Sequence, residues 1–203
     1  ELKQFTLSLL RQADINIDDI QVDITPLGNQ TKEIVFTDPA GNPVPQGQVK
    51  AVRIHAGHHV QSESGKEAQF FLDLNEESLG TKQLFWFSPI LKEVFGKGKT
   101  MVIDELDRSL HPFLVQFLVE LFHTPEINQT NAQLIFTTHD TTLLSLDTFR
   151  RDQIYFVEKD PHTAATELYS LDEFSVRKNE NIEKGYLLGR YGAIPYLRPE
   201  GGL

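Results

Sequence analysis

The chain has 203 residues, of which 39% are hydrophobic and 24% charged, with a formal net charge of −10 and no cysteine. This composition predicts a globular protein with one substantial core, or two small subdomains that share a sheet, and it excludes disulfides and thiolate metal sites. The acidic balance argues against broad non-specific DNA binding, no apolar run approaches the roughly 20 residues that cross a bilayer, and we predict a cytoplasmic protein without membrane contact.

The first 75 residues are predicted to form one domain section, with a helix followed by a small antiparallel β-rich part. Apolar residues recur at helical spacing within residues 1–20. Alternating or β-branched runs predict strands at 21–24, 32–36, 49–55 and 68–74. The last two are expected to pair as a hairpin, and Gly65 between them can supply a turn position with positive φ.

Three histidines and one tryptophan are interpreted as packing residues. His55, His58 and His59 have no carboxylate at a spacing that fits a metal site, so we expect surface exposure or hairpin packing for them. Trp86 and its aromatic neighbours are expected in the core.

Residues 76–203 are predicted to form the second section, which begins with a helix and a buried strand. The helix is expected over 81–95, with a kink or short break at Pro89 and an end at Gly96. An apolar run then ends abruptly in acidic residues, of which Asp104 and Glu105 come first. A continuous apolar run is typical of a buried parallel strand.

A second strand with a polar end follows one helix later. Pro112 opens that helix, and residues 133–140 end in Thr138, His139 and Asp140. Strand, helix and strand at this spacing predict a right-handed βαβ crossover with parallel strands. Residues 153–171 are then expected to form a hairpin that turns at Asp160.

The two strand ends are expected to converge on one ligand, since adjacent strands lie about 4.8 Å apart. Asp104 could then support Mg²⁺ while Glu105 polarises an attacking water, and His139 could contact a γ-phosphate or that water. Taken alone, each feature also fits a plain structural role: a solvated strand end or a structural histidine.

Several segments together resemble ABC-type ATPases. Val102-Ile103-Asp104-Glu105 resembles a Walker B strand, Ser109-Leu110-His111-Pro112 a D-loop, and Thr137-Thr138-His139-Asp140 a switch-histidine segment. Glu77-Ser78-Leu79-Gly80-Thr81-Lys82 occupies the place of the signature motif. With the tail 185–195, these segments are most similar to RloA-like ATPases of the OLD and RecF-like branch, which is associated with bacterial phage defence. The resemblance covers about residues 68–197.

The resemblance implies an α/β fold of the P-loop NTPase (ABC ATPase) kind, with parallel strands and crossover helices behind the antiparallel section. It implies a homodimer that sandwiches ATP and Mg²⁺, with Glu105 and His139 catalytic and Asp104 at the metal. The nucleotide-binding residues that it implies are Ser78, Gly80, Thr81, Lys82, Ser109 and His111. ATP hydrolysis is expected to switch an effector or partner, such as a nuclease.

The phosphate-binding loop of that family, Gly-x-x-x-x-Gly-Lys-Ser/Thr, is absent from the 203 residues. Gly98-Lys99-Thr100 imitates its end, but Glu93 stands at the first glycine position and a strand follows in place of a helix. The family carries this loop in an N-terminal lobe. We therefore expect the chain to be the C-terminal half of the ATPase, to need that missing lobe, and to be inactive alone.

Three other functions stay open. A DNA-repair ATPase of the RecF or SMC type would be favoured by a long coiled coil, yet this segment shows no heptads. A scaffold module could have the same fold without hydrolysis. A nuclease could hold Mg²⁺ with Asp104, Glu105 and Asp140. Any nucleic acid would be bound without a basic patch in this segment.

Overall fold

The computed structural model describes residues 1–26, 50–61, 65, 67–160, 162–177 and 180–195. The strand predicted at 32–36 and the end of the tail lie outside the described residues. The chain divides into two compact units, Glu1–Phe136 and Thr137–Leu203. The division into domain sections predicted between residues 75 and 76 stays a prediction.

The chain combines helices with both antiparallel and parallel strands. The first unit contains α1 (Leu2–Gln12), β1 (Asp19–Pro26), β2 (Lys50–Gln61), β3 (Glu67–Asp73), α2 (Leu79–Lys97), β4 (Thr100–Ile103), α3 (Pro112–His123) and β5 (Gln133–Phe136). The second contains β6 (Tyr155–Lys159), β7 (Thr166–Ser170) and α4 (Ile182–Leu187). In the described part of the chain, no helix combines the length and apolar character needed to span a membrane.

An antiparallel sheet opens the first unit, as predicted, with the order β1-β2-β3. The β2–β3 hairpin is confirmed, and Gly65 adopts a φ of 76°. Strand β2 is longer than expected and extends to Gln61, with successive side chains on opposite faces throughout. Helix α1 is shorter than expected and is followed by Asp14 at a φ of 59°, a left-handed conformation that stops the helix.

Helix α2 continues through Pro89 without the break that was one of the two predicted outcomes. Proline cannot donate to the carbonyl four residues earlier, which is that of Phe85. The Ser88 hydroxyl donates to this oxygen instead, at 2.8 Å, and lies 2.7 Å from the hydroxyl of Thr6 on α1. The predicted end at Gly96 is wrong, because Gly98 caps the helix with a φ of 61°.

Strands β4 and β5 pair in parallel, which confirms the predicted pairing. The prediction that both are buried is only half right. Met101 is buried, but Val102 is 73% exposed and its register partner Ile135 is 57% exposed. Alternate side chains point to opposite faces of a strand, and only one face packs against apolar side chains of the helices. A small apolar cavity marks that face, lined by Phe87, Leu91, Met101, Ile103, Leu106, Leu118, Phe122 and Leu134.

Trp86 was expected in the core, but it is 55% exposed. It lies on α2 between two half-buried phenylalanines, and its ring meets that of Phe85 edge-on at 5.3 Å. The buried stripe of α2 follows other positions, among them Leu84, Leu91 and Val94. Consecutive residues point to different sides of a helix, so the three aromatic side chains cannot all face the core.

The second unit has its own core around the β6–β7 hairpin, whose predicted antiparallel pairing is confirmed. Asp160 forms the turn, since its Oδ1 accepts from the backbone N–H groups of His162 and Thr163. The buried core consists of Ile154, Phe156, Leu171, Val176, Ile182 and Tyr191. Tyr191 comes from the glycine-rich tail, where the sequence had indicated no packing role.

Candidate functional site

Asp104 and Glu105 directly follow β4, at the carboxyl end of a parallel strand pair, and both are exposed. Glu105 has a φ of 53°, the left-handed region that costs a non-glycine residue about 1–2 kcal/mol. The next residue, Leu106, is fully buried and fastens the chain to the core. A strained residue held by buried neighbours is typical of a site that orients a side chain for function.

The segment after Glu105 forms two successive turns that lead into α3. The N–H of Arg108 donates to the carbonyl of Glu105, and the N–H of Leu110 donates to that of Asp107. Ser109 lies between them with a φ of 63°. Buried Leu110 holds this end of the segment as Leu106 holds the other.

His111 and Pro112 begin α3. Nδ1 of His111 accepts a hydrogen bond from the N–H of Phe113 at 3.3 Å, and Pro112 occupies the first helical position. Proline fits there because the first N–H groups of a helix have no partner within the helix. The structure therefore gives His111 a capping role, while its predicted contact with nucleotide stays a prediction.

The start of α2 is capped by Ser78. Its Oγ accepts from the N–H of Thr81 at 3.1 Å and lies 2.8 Å from the Thr81 hydroxyl. Lys82 donates from Nζ to the carbonyl of Asn75 at 3.0 Å, so its ammonium reaches back over the turn before the helix. The structure therefore gives Ser78 a capping role, and its predicted contact with nucleotide stays a prediction.

Gly80 brings the start of α2 against the turn that precedes α3. A Cβ on Gly80 would lie 3.2 Å from the carbonyl oxygen of Ser109, closer than ordinary van der Waals contact. Its next neighbours would be side-chain atoms of Leu114 and Leu110, at 3.9 and 4.0 Å. Two segments that are far apart in sequence, and that were both predicted to bind nucleotide, are therefore adjacent in the first unit.

His58 is a residue whose contact the sequence did not reveal. Its Nε2 lies 2.6 Å from Oε1 of Glu77, the residue directly before Ser78, and its ring stacks on Phe70 at 5.2 Å. The signal was present in the alternation of β2, where His58 shares a face with Ile54 and Ala56. A histidine on the apolar face of a strand needs a hydrogen-bond partner for its ring nitrogen.

His139, the other predicted catalytic residue, belongs to the second unit and is exposed. It lies between Thr138, whose Oγ1 accepts from the N–H of Asp140, and the short helical turn 141–143. Oδ1 of Asp140 accepts from the N–H and the hydroxyl of Thr142. The convergence of His139 and Glu105 on one ligand stays a prediction.

The described residues do not form a metal site by themselves. Among them, no group of three or more His, Asp or Glu side chains could hold an ion. A Mg²⁺ ion that is bound with phosphates needs only one or two carboxylates from the protein. The exposed Asp104 carboxylate fits that second arrangement.

Comparison with known proteins identifies the family. Residues 9–145, more than half of the chain, match the family described as "AAA domain, putative AbiEii toxin, Type IV TA system". No curated protein matches the chain. The matched segment includes β4, α2 and α3, and it ends shortly after His139 and Asp140.

Proposed function

We propose, on the premise that this chain belongs to that AAA-domain family of P-loop nucleotide hydrolases, that it carries half of the active site of an ABC-type ATPase. The family implies an α/β fold that binds ATP with Mg²⁺. The single observation that carries the finer proposal is the close approach of Gly80 to Ser109, in the segment that follows the exposed acidic end of β4.

This contact supports an ABC-type ATPase because it brings the signature-like segment beside the turn that follows the acidic end of β4. The start of α2 offers serine and glycine in the place of a signature motif. The turn before α3 offers Ser109 and His111, and β4 offers Asp104 and Glu105. Helix starts attract anions through free N–H groups and the helix dipole, which suits a phosphate chain near α2.

In the proposed reaction, Glu105 accepts a proton from the attacking water as the water oxygen bonds to the γ-phosphorus and the bond to the leaving ADP breaks. Asp104 holds Mg²⁺, which when bound neutralises charge on the phosphates. His139 contacts the γ-phosphate or the water.

We propose further that two copies sandwich two nucleotides, each with its signature segment on the other copy's ATP. Two large apolar side chains, Leu79 and Phe113, are exposed at the starts of α2 and α3, which adjoin through the contact of Gly80 with Ser109. Exposed apolar residues beside a polar site are typical of an interface. Ser78, Gly80, Thr81 and Lys82 are then the residues that complete the partner's site.

The proposal requires a phosphate-binding loop from another segment or another polypeptide, because the 203 residues contain none. This chain alone should therefore hydrolyse ATP poorly. The exposed apolar pair Val102 and Ile135 is consistent with a sheet that continues or is covered once such a lobe is present.

A role in bacterial anti-phage defence, in the cytoplasm, is the biological part of the proposal. It is supported by the similarity to the RloA-like and OLD branch and by the words toxin and type IV TA system in the family description. ATP-driven dimerisation would switch an effector, such as a nuclease. The described residues carry no observation that favours a RecF- or SMC-type repair ATPase, a scaffold or an intrinsic nuclease over this.

Glu105→Gln in the complete protein tests the proposal. Glutamine keeps the size of the side chain but removes the base, so ATP turnover should fall about 10²–10⁴-fold while ATP-bound dimers accumulate. Turnover is measured by phosphate release, and dimers by light scattering after gel filtration.

The matched control is Glu120→Gln, which changes an exposed glutamate on α3 outside the proposed site. It should leave both readouts at the wild-type level. Unchanged turnover in Glu105→Gln would refute the catalytic assignment, and wild-type protein that neither binds nor hydrolyses ATP would refute the ATPase itself.

A further inference from the structure

We infer that His58 is a positioning residue: through Glu77 it fixes the start of α2, and with it the segment proposed to face the partner's nucleotide. The inference rests on the proposed function for its catalytic consequence. Its structural part, the placement of the α2 start by the antiparallel sheet, can be measured without ATP.

The contact between His58 and Glu77 is short and nearly enclosed. Nε2 and Oε1 lie 2.6 Å apart, and the two side chains are 19% and 11% exposed. At this distance an imidazole N–H can donate to the carboxyl oxygen of Glu77. Enclosed hydrogen bonds to a charged group are stronger than exposed ones, and removing one partner leaves the other unsatisfied.

The ring of His58 is itself held in place. It stacks on Phe70, its register partner on β3, with the ring planes 18° apart. Two strands of the sheet therefore orient the imidazole, so that its N–H is aimed at one place. A donor whose ring is fixed in this way can position an acceptor, whereas a mobile surface histidine cannot.

Glu77 transmits this placement to the helix. Its N–H donates to the carbonyl of Leu74 at 3.2 Å, and the next residue, Ser78, caps α2. Lys82 closes the same turn from the other side through the carbonyl of Asn75. Loss of the histidine contact would leave this turn with its local hydrogen bonds and the buried side chain of Leu74 to hold it.

Two neighbouring histidines on β2 show the contrast. His55 lies 3.3 Å from Asp23 and His59 lies 3.3 Å from Asp18, and the side chain of His59 is 60% exposed. Both lie on the opposite face of the strand from His58, because side chains alternate. Exposed pairs of this kind contribute little, so His59 provides a matched control.

The experiment compares His58→Leu, His58→Gln and His59→Leu in the complete protein. Leucine fills the space without a donor, and glutamine restores an N–H donor. In His58→Leu, kcat and ATP-dependent dimer formation should each fall about tenfold, while the ATP affinity of the monomer stays within about twofold. His58→Gln should recover most of the loss, and His59→Leu should match wild type.

Hydrogen exchange measures the positioning itself. The N–H groups of Thr81 and Lys82 bond to Ser78 in the first turn of α2, and His58→Leu should speed their exchange about tenfold. Equal exchange in His58→Leu and His59→Leu would overturn the inference, as would equal losses of kcat in the leucine and glutamine variants of His58.

The two proposals fail in different ways. If wild type hydrolyses ATP and Glu105→Gln stops it, but His58→Leu changes neither kcat nor exchange, only the positioning role is refuted. If wild type shows no ATP binding, the catalytic consequence is refuted together with the ATPase. Faster exchange in His58→Leu alone would then still support the structural part.

Discussion

The segment from Asp104 to His111 and the aromatic core around Tyr191 use polar groups in opposite ways. In the first, Glu105 and Ser109 have left-handed backbone conformations and exposed side chains. In the second, the Tyr169 hydroxyl lies 2.8 Å from the carbonyl oxygen of Tyr191 and 3.2 Å from Oε2 of Glu158, so its one hydrogen has two acceptors within reach.

This difference indicates what each region is built for. A strained segment that presents polar side chains loses stability in order to orient groups, and buried Leu106 and Leu110 hold it in place. A core in which aromatic rings stack and hydroxyl groups are satisfied gains stability. Substitutions should therefore affect function with little cost in stability in the first region, and stability in the second.

The sequence supplies a separate probe for each unit. Trp86 is the single tryptophan and belongs to the first unit, whereas all five tyrosines lie beyond residue 136. Tryptophan fluorescence therefore reports unfolding of the first unit, and tyrosine absorbance reports the second.

Tyr191→Ala should have the largest effect on stability. The side chain is fully buried and stacks on Phe156 at 5.7 Å, so its removal leaves a cavity that costs about 3–5 kcal/mol. Urea unfolding followed by tyrosine absorbance measures the loss. Tyr155→Ala, at an exposed position of β6, is the control and should change the free energy of unfolding by less than about 0.5 kcal/mol. Similar values for both would contradict the assignment of this core.

In contrast to Tyr191→Ala, Glu105→Gly should not lower the free energy of unfolding. Glycine tolerates a positive φ, so the substitution relieves the backbone strain at position 105. This gain offsets the greater conformational entropy of glycine in the unfolded chain, and the free energy of unfolding should stay level or rise by up to about 1 kcal/mol. Glu120→Gly, in the regular part of α3, should cost about 0.5–1 kcal/mol. Unfolding followed by Trp86 fluorescence compares the two. An equal loss in both variants would show that the conformation of Glu105 is not strained.

The smallest effect on stability at neutral pH is expected from the ionisation of Tyr169. Burial, then its hydrogen bond to Glu158, raises the pKa of Tyr169 to about 12 from an ordinary value of 10. A raised pKa means that the native state keeps its proton longer than the unfolded state. The stabilisation is therefore complete below pH 10 and is lost as the pH rises towards 12. A phenolate absorbance titration should show this late step in wild type and lose it in Tyr169→Phe. Titration of all tyrosines near their ordinary value would contradict it.

Local chemistry in the sequence determined much of the fold. Alternation predicted the β2–β3 and β6–β7 hairpins, and Pro112 marked the start of α3, because such signals act over a few residues. The same local signals placed Asp104 and Glu105 at the end of a strand with a parallel partner. The resemblance of its motifs to ABC-type ATPases then indicated P-loop nucleotide hydrolases, and the family match confirms it at that level.

The tertiary structure decided which faces are covered and which distant residues meet. Trp86 and Val102 are exposed, and Tyr191 is buried, because these outcomes depend on which surfaces the rest of the chain provides. The contact of Gly80 with Ser109 and that of His58 with Glu77 join segments about 20 to 30 residues apart. A periodic pattern encodes the side of an element on which a residue lies, but it carries no information about the residue that it meets.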